Sequence, residues 1–488
     1  MAMERRTVLK LALASAAAGP FVGLTALPAS ARRSPQGARL VPIPDQRDGL
    51  VRLHLPNGFN YRSFHDTESP VTLGDGTLLP GRHDGMAAFP GPKGSDGASI
   101  LIRNHEVNGP TAAFGPRAPY DPRGGGGTTT MVVSKFGEVQ DSWTSLNGTM
   151  MNCSGGEMPW GSWITCEETV NGPDVGPDFT GAPNVSLTQR HGYIFEVPAS
   201  ADRATGQSTG QPIRSAGRFA HESVAWADGH LYLSEDNFAF PSGFYRYSPP
   251  NDPMAEGHLA DGGTLQMLKV VGIDNAHLEG HQEANATYAV EWVDIAQPFA
   301  EYDYTSGQTA PTPNDTALVH VGAQGQAQGA AYFSRLEGTI ASGGVVYFTS
   351  TQGGGPAETV THEPTAGFGN GSGQVWAYDP AAMTLRCVFQ STGPMVLDMP
   401  DNITTSPRGT LVVCEDSSGD NYLRGLSVDG QLWDIALNRL RTLSGTPRFG
   451  DEFAGSTFDD KGHTLFVNIQ ASRGMTFAIW GPWKSIGV

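Results

Sequence analysis

The sequence predicts an all-β chain folded as a β-propeller, with long loop insertions on one face. Three observations predict it. Glycine (63 residues) and proline (35) are abundant while charged residues make up only 16%, the composition of many short strands joined by turns. Four stretches repeat one order of strand, tight turn, strand, loop and aromatic strand. The second strands of these units end in polar residues, acidic in two of the four, which a propeller would gather around one axis.

The N-terminus reads as a targeting segment. Residues 4–10 are E-R-R-T-V-L-K, with Arg5 and Arg6 adjacent, ahead of an alanine-rich apolar stretch broken by Gly19 and Pro20. Ala29, Ser30 and Ala31 then supply the small residues of a cleavage site. This is the layout of a twin-arginine export signal over 1–31, with a single propeller domain in 32–488. Its composition is weakly apolar for a spanning helix, so no stable membrane insertion is expected after cleavage. The twin-arginine export machinery is thereby an expected partner. That route carries folded proteins, which favours a cofactor acquired before export.

The formal charge is −18. Removing Glu4, Arg5, Arg6 and Lys10, a net +2, leaves −18 − 2 = −20 for the expected mature chain. Such a chain is ill suited to nucleic acid, whose phosphates need a basic surface, and to anionic lipid. Carboxylates reserved for hard cations such as calcium would fit the acidity, as would solubility alone. The four cysteines, Cys153, Cys166, Cys387 and Cys414, form no C-x-x-C pair, which argues against a zinc ribbon or a thioredoxin-like site. Cys387 and Cys414 could pair or remain thiols. Cys166 stands apart because Glu167 and Glu168 follow it.

The repeated units lie at 221–247, 336–378, 401–434 and 453–480. Their tight turns are Asp228-Gly229, Ser342-Gly343-Gly344, Arg408-Gly409 and Lys461-Gly462, where glycine supplies the positive φ of a hairpin. The strands LYLS, VYFT, LVVC and LFVN follow at matching offsets, and ILIRNHE (100–106) and SWITCEE (162–168) look like the same second strand. Long loops at 107–128, 170–190, 296–318 and 352–373 make the spacing irregular. Superposed as blades, the units would bring together Glu106, Cys166-Glu167-Glu168, Glu222, Glu235-Asp236, Glu337, Asp398, Asp401-Asn402 and Glu415-Asp416. Like charges so gathered raise one another's pKa unless cations compensate them.

These residue types suit a mixed metal site. Glu222, Glu337, Asp401 and Asn402 offer the oxygen ligands that calcium takes. Cys166 offers a soft thiolate, which suits iron, copper or zinc, although a free cysteine is more often a core residue. Arg335 lies two residues before Glu337, so on a strand the two would face one side. A guanidinium there could bind phosphate through two parallel hydrogen bonds or pair structurally with Glu337. His105 and His221 precede Glu106 and Glu222, where a histidine would orient the carboxylate. No G-x-S-x-G elbow, zincin H-E-x-x-H or P-loop lysine is present.

The motifs R-N-H-E (103–106), W-I-T-C-E-E-T (163–169), R-F-A-H-E (218–222), Y-L-S-E-D (232–236), S-R-L-E-G (334–338), D-M-P-D-N-I (398–403), L-V-V-C-E-D (411–416) and F-A-G-S-T-F (453–458) resemble, in this order, the PhoX family of bacterial alkaline phosphatases. The resemblance runs from about Asp45 to Trp483 and is closest to the family's shorter, actinobacterial-type branch. It implies a six-bladed propeller and an exported, periplasmic, cell-surface or extracellular phosphatase. The implied substrates are small phosphate monoesters, with diesters open, and the implied cofactors are ferric iron and calcium; a monomer is expected. It assigns Cys166 as the thiolate ligand of iron, and Glu106, Glu167, Glu222, Glu337 and Asp401 as carboxylate ligands of iron or calcium. Arg335 becomes the phosphate-binding arginine, with Glu168, Asp236, Asp398 and Asn402 as further residues of the site. The competing readings are a calcium-dependent propeller lactonase or phosphotriesterase, which would not need Cys166, and a non-catalytic propeller stabilised by calcium.

Overall fold

The computed structural model describes residues 38–250 and 255–488. The export signal expected over 1–31 lies outside the described residues. Five antiparallel sheets account for nearly all the regular structure, and the helices Asn314–Leu318 and His320–Gln326 are short.

The chain folds into meanders because short β-branched and aromatic runs alternate with glycine turns. The first sheet is ordered His83–Pro90, Ser99–His105, Gly126–Val133, Val139–Thr149. The second holds Asn152–Met158, Ser162–Glu167 and Ile194–Pro198. A nine-stranded sheet joins two meanders, one beginning at His221–Ala227 and one at Leu336–Ser342, through Thr287–Asp294, which pairs with the outer strand of each. The next sheet begins at Pro400–Thr405 and is extended at its far edge by the early strands Val51–Pro56 and Leu40–Pro44. The last begins at Phe453–Phe458 and is completed by Asn60–Phe64, so its fourth strand comes from the other end of the chain.

The repeated units therefore fold as expected up to the aromatic third strand, and a fourth strand is added outside it. The turns at Asp228-Gly229, Gly343-Gly344, Gly409 and Gly462 adopt positive φ. Gly126 and Gly127, read from the sequence as part of a loop, instead open a buried strand.

The apolar core lies between sheets. One cluster packs Ala87, Phe89 and Ile102 of the first sheet on Trp163, Phe195 and Val197 of the second. Another packs Ile164 and Ile194 on Val224, Leu233 and Tyr245. The sequence of interfaces closes where Phe466 and Ala478 of the last sheet meet Met86, Leu101 and Met131 of the first. The fold is all-β and propeller-like. Its long connections, 106–125, 168–193, 295–335 and 351–373, all leave or enter at the end where the first strands begin.

Candidate active site

Six strands, beginning at His83, Asn152, His221, Leu336, Pro400 and Phe453, start around one cavity. Their backbones nearly touch. A Cβ on Gly85 would stand 2.6 Å from Cα of Ser154, one on Gly338 2.5 Å from the Ile403 nitrogen, and one on Gly455 2.3 Å from the Asp84 carbonyl. This crowding explains the small residue that follows each cavity-facing one in H-D-G, N-C-S, H-E-S and L-E-G.

The first five of these strands carry a bulge at the same place. His83 pairs with His105 but Met86 with Arg103, so two residues oppose one. The same two-against-one shift recurs after Asn152, His221, Leu336 and Pro400. A bulge re-aims a side chain, and the first bulged residues, Asp84, Cys153, Glu222, Glu337 and Asp401, all line the cavity. The residue just before the strand is left-handed at Arg82, Met151, Arg335 and Met399, with φ between 39° and 49°. Arg82 and Arg335 thereby reach the same space.

A second set of residues comes from the strand next door, one position past its end. Glu106, Glu168, Asp236, Asp416 and Gln470 line the cavity, and their N–H groups donate to the carbonyls of Arg82, Met151, Ala220, Met399 and Glu452. With Glu452 added, a cavity of about 170 Å³ is lined by nine carboxyl groups, two arginines, Gln470 and one thiol. The nine are Asp84, Glu106, Glu168, Glu222, Asp236, Glu337, Asp401, Asp416 and Glu452.

Several residues singled out from sequence face elsewhere. Cys166 sits opposite the bulge at Cys153 and Ser154 and is fully buried in the apolar cluster around Ile164 and Ile194. The thiol that lines the cavity belongs to Cys153. Glu167 is turned into its own sheet, where Oε1 accepts from the Met150 N–H and from Nδ1 of His191, and Oε2 from the N–H groups of Gly192 and Tyr193. Period-two alternation is the reason: once Glu168 faces the cavity, Glu167 cannot. The same alternation governs Glu235-Asp236 and Glu415-Asp416. Glu235 accepts from the Tyr245 hydroxyl at 2.7 Å, and Glu415 from Nε of Arg424 at 2.9 Å. Asp398 lies outside the cavity beside Glu415. Asn402 also stands off it, donating to Asp401 and accepting from the Gly455 N–H. His105 and His221 do not orient their neighbouring carboxylates; they bond Thr129 with Gly81, and Gly217, respectively. Cys387 and Cys414 are free, in different core clusters.

Asp84, Arg82, Glu452 and Gln470 were not singled out from the sequence, and Cys153 was named there only as one of four cysteines. The recurring acid or cysteine followed by a small residue was the signal for Asp84 and Cys153.

The electrostatics of the cavity are those of crowded acids. Burial, then the charge of Asp416, pushes Asp401 up to about 8. Burial and neighbouring carboxylates also hold Asp84, Glu168, Glu222, Glu337 and Glu452 well above the usual range. Burial, then Glu222 and Glu168, raises the Cys153 thiol. Arg335 is clamped by Asp236, with Nε donating to Oδ1 at 3.0 Å and Nη2 to Oδ2 at 2.7 Å, and Nη2 also reaches Glu337 at 3.0 Å. Burial disfavours its charge, but Asp236 and Glu337 outweigh this and keep it cationic. Arg82 likewise pairs with Glu106.

Two groups have the geometry of cation ligands. Cys153, Glu168 and Glu222 bring ligand atoms within 4.8 Å of one another, as do Glu222, Glu337 and Asp401. The donor sets fit the metals expected from sequence: a thiolate with carboxylates suits a transition metal, and carboxylates alone suit a hard cation.

Comparison with known proteins identifies the family of the chain. The family described as "Alkaline phosphatase PhoX" matches residues 38–144 and 134–472. The structure of Pseudomonas fluorescens PhoX in complex with vanadate, a transition state analogue, aligns with a TM-score of 0.59 at 18% identity, over 91% of this chain and 98% of that one. Xanthomonas campestris XC5397, a gluconolactonase, aligns at 0.39 and 13% identity over 91% and 98%. Virginiamycin B lyase from Staphylococcus aureus aligns at 0.37 and 10% identity over 86% and 99%. No curated protein sequence matches the chain. The chain belongs to the PhoX family of alkaline phosphatases, and is a phosphoric ester hydrolase.

Proposed function

We propose that this chain is an exported phosphomonoesterase whose six-bladed propeller holds iron and calcium ions in its axial cavity. The observation that carries the reading is the convergence of nine carboxyl groups, the Cys153 thiol and the Arg335 guanidinium on one space. Six cavity-facing strands support the count of six blades, if the nine-stranded sheet is counted as two blades bridged by Thr287–Asp294.

Cys153, in place of Cys166, would be the thiolate ligand of iron, with Glu168 and Glu222 beside it. Glu222, Glu337 and Asp401 would hold calcium, and Asp84, Glu106, Asp416 and Glu452 would complete the ligand sets. Bound cations would supply Lewis-acid stabilisation of phosphoryl oxygens and a more acidic water. Arg335, fixed by Asp236, binds the phosphate. Among the described residues its Nη1 donates to no protein acceptor, and is left for a substrate oxygen. Positive charge so placed is worth most when phosphoryl charge spreads in the transition state.

Metal analysis of protein purified without chelators, alongside turnover of p-nitrophenyl phosphate and its bis-ester, tests this reading. Iron and calcium with faster monoester turnover are expected. Zinc alone, no metal, or preferred diester turnover would overturn it. Export is tested by Arg5→Lys with Arg6→Lys, which should hold the protein in the cytoplasm.

A further inference from the structure

We propose that Phe238 is the leaving-group platform of this site and selects aryl over alkyl phosphate monoesters, an inference that rests on the phosphatase reading above. Phe238 follows the Asp236 clamp in the same short loop, and its ring centroid lies 5.7 Å from Cζ of Arg335. Phe238 is 46% exposed, a large apolar side chain to leave in water beside an arginine of an otherwise polar cavity. Its place is nevertheless fixed. The Phe238 carbonyl accepts from the Phe368 N–H at 2.7 Å. The neighbouring Gly367 has φ +82°, and a Cβ there would stand 3.1 Å from the ring's Cε2. In the same two loops, Phe240 stacks on His362 at 4.3 Å and 7°.

Two loops, 236–242 and 358–368, thus hold an aromatic ring beside the phosphate-binding arginine. Phosphate on Arg335 is drawn in by hydrogen bonds of roughly 2.7–2.9 Å, and the protein carboxylates occupy the space behind it. An ester oxygen turned away from those carboxylates would carry its leaving group past Arg335 toward the Phe238 ring. A flat aryl group on that oxygen can meet the ring at the roughly 4.5–7 Å favoured by aromatic pairs. A glycerol or other short polar alkyl group gains nothing from it.

The test compares kcat/KM for phenyl phosphate and glycerol phosphate in metal-replete wild type, Phe238→Ala, Phe238→Leu and Phe238→Tyr. The aryl-to-alkyl ratio should fall about two- to ten-fold in the alanine and leucine variants, the range of an aromatic contact, and be retained in the tyrosine variant. The rise should sit in KM, and competitive inhibition by phenylphosphonate should weaken while inhibition by methylphosphonate does not. Equal losses on both substrates would place Phe238 behind Arg335 as a packing residue and overturn the inference. An unchanged ratio would do the same. Wild-type protein inactive on both esters would instead overturn the phosphatase reading and the inference with it.

Discussion

Cys153 Sγ lies 3.8 Å from the carbonyl oxygen of Cys166 on the paired strand, yet only Cys153 presents its sulfur to the acidic cavity. Cys153→Ser is expected to lose the transition metal and at least about 100-fold in activity, since even outer-shell partners of a metal cost roughly 10–100-fold. Cys166→Ser should keep its metal and its turnover while losing roughly 1–3 kcal/mol of stability to a buried hydroxyl. Metal content and visible absorption of the two purified variants check this, and the reverse pattern would refute the assignment of Cys153.

The adjacent acids Glu167 and Glu168 should separate in the same way. Glu167→Gln takes from His191 its hydrogen-bonded carboxylate, leaving only Asp121 at 3.6 Å, and should cost roughly 3–5 kcal/mol, as breaking a buried ion pair does, with activity kept by the folded fraction. Glu168→Gln should lose metal and activity, and should stabilise the metal-free protein by removing one of the crowded charges. Chemical denaturation with and without chelator measures both.

His191 gives the fold a pH dependence. It is fully buried, 3.6 Å from Asp121 and hydrogen-bonded to Glu167. Burial alone would lower its pKa, but Glu167 and Asp121 outweigh that and push it up to about 9. A pKa raised on folding contributes stability that is fully present below the unfolded value near 6.5 and is lost as pH rises through about 9. Unfolding free energy should therefore decline between these limits in wild type, and the decline should shrink in His191→Gln. Equal slopes in the two proteins would contradict it.

Arg335→Lys keeps the charge but loses the planar fork that Asp236 orients. A fall of roughly 10²–10³ in kcat/KM is expected, the size seen when one preorganised donor to a transition state is removed. Asp236→Asn should cost less, with the loss mainly in KM for phosphate esters. Steady-state kinetics on metal-replete protein decide it.

Removing the cations should destabilise the fold as well as silence it. A ligand at 100 times its Kd contributes about 2.7 kcal/mol, and here the ligand also relieves repulsion among nine carboxyl groups. The midpoint of thermal unfolding should fall on chelation and recover when iron and calcium are returned. An unchanged midpoint would mean that the carboxyl groups do not hold cations.

Much of this was legible in the residues. Hairpin glycines such as Gly229 and Gly462 and the strands between them disclosed the repeated unit, because backbone preference and alternation are local properties. Arg335 and Glu337 were correctly placed in one space, but for another reason: Arg335 lies before the strand in a left-handed conformation and Glu337 is on a bulge. Sequence spacing alone does not distinguish that from simple strand alternation.

The sequence by itself determined an all-β repeat protein, the family it belongs to, and a surplus of acids at strand ends. It could not choose between Glu167 and Glu168, or between Cys153 and Cys166. A one-residue change of register exchanges the faces of a strand, and the register is set where neighbouring sheets press their first strands together around the cavity. Close backbone contacts at Gly85, Gly338 and Gly455 help fix that packing, and with it which side chains are turned inward. Tertiary structure alone decided the facing set, because the contacts that choose it join strands of different sheets, from Gly338 with Ile403 to Gly455 with Asp84.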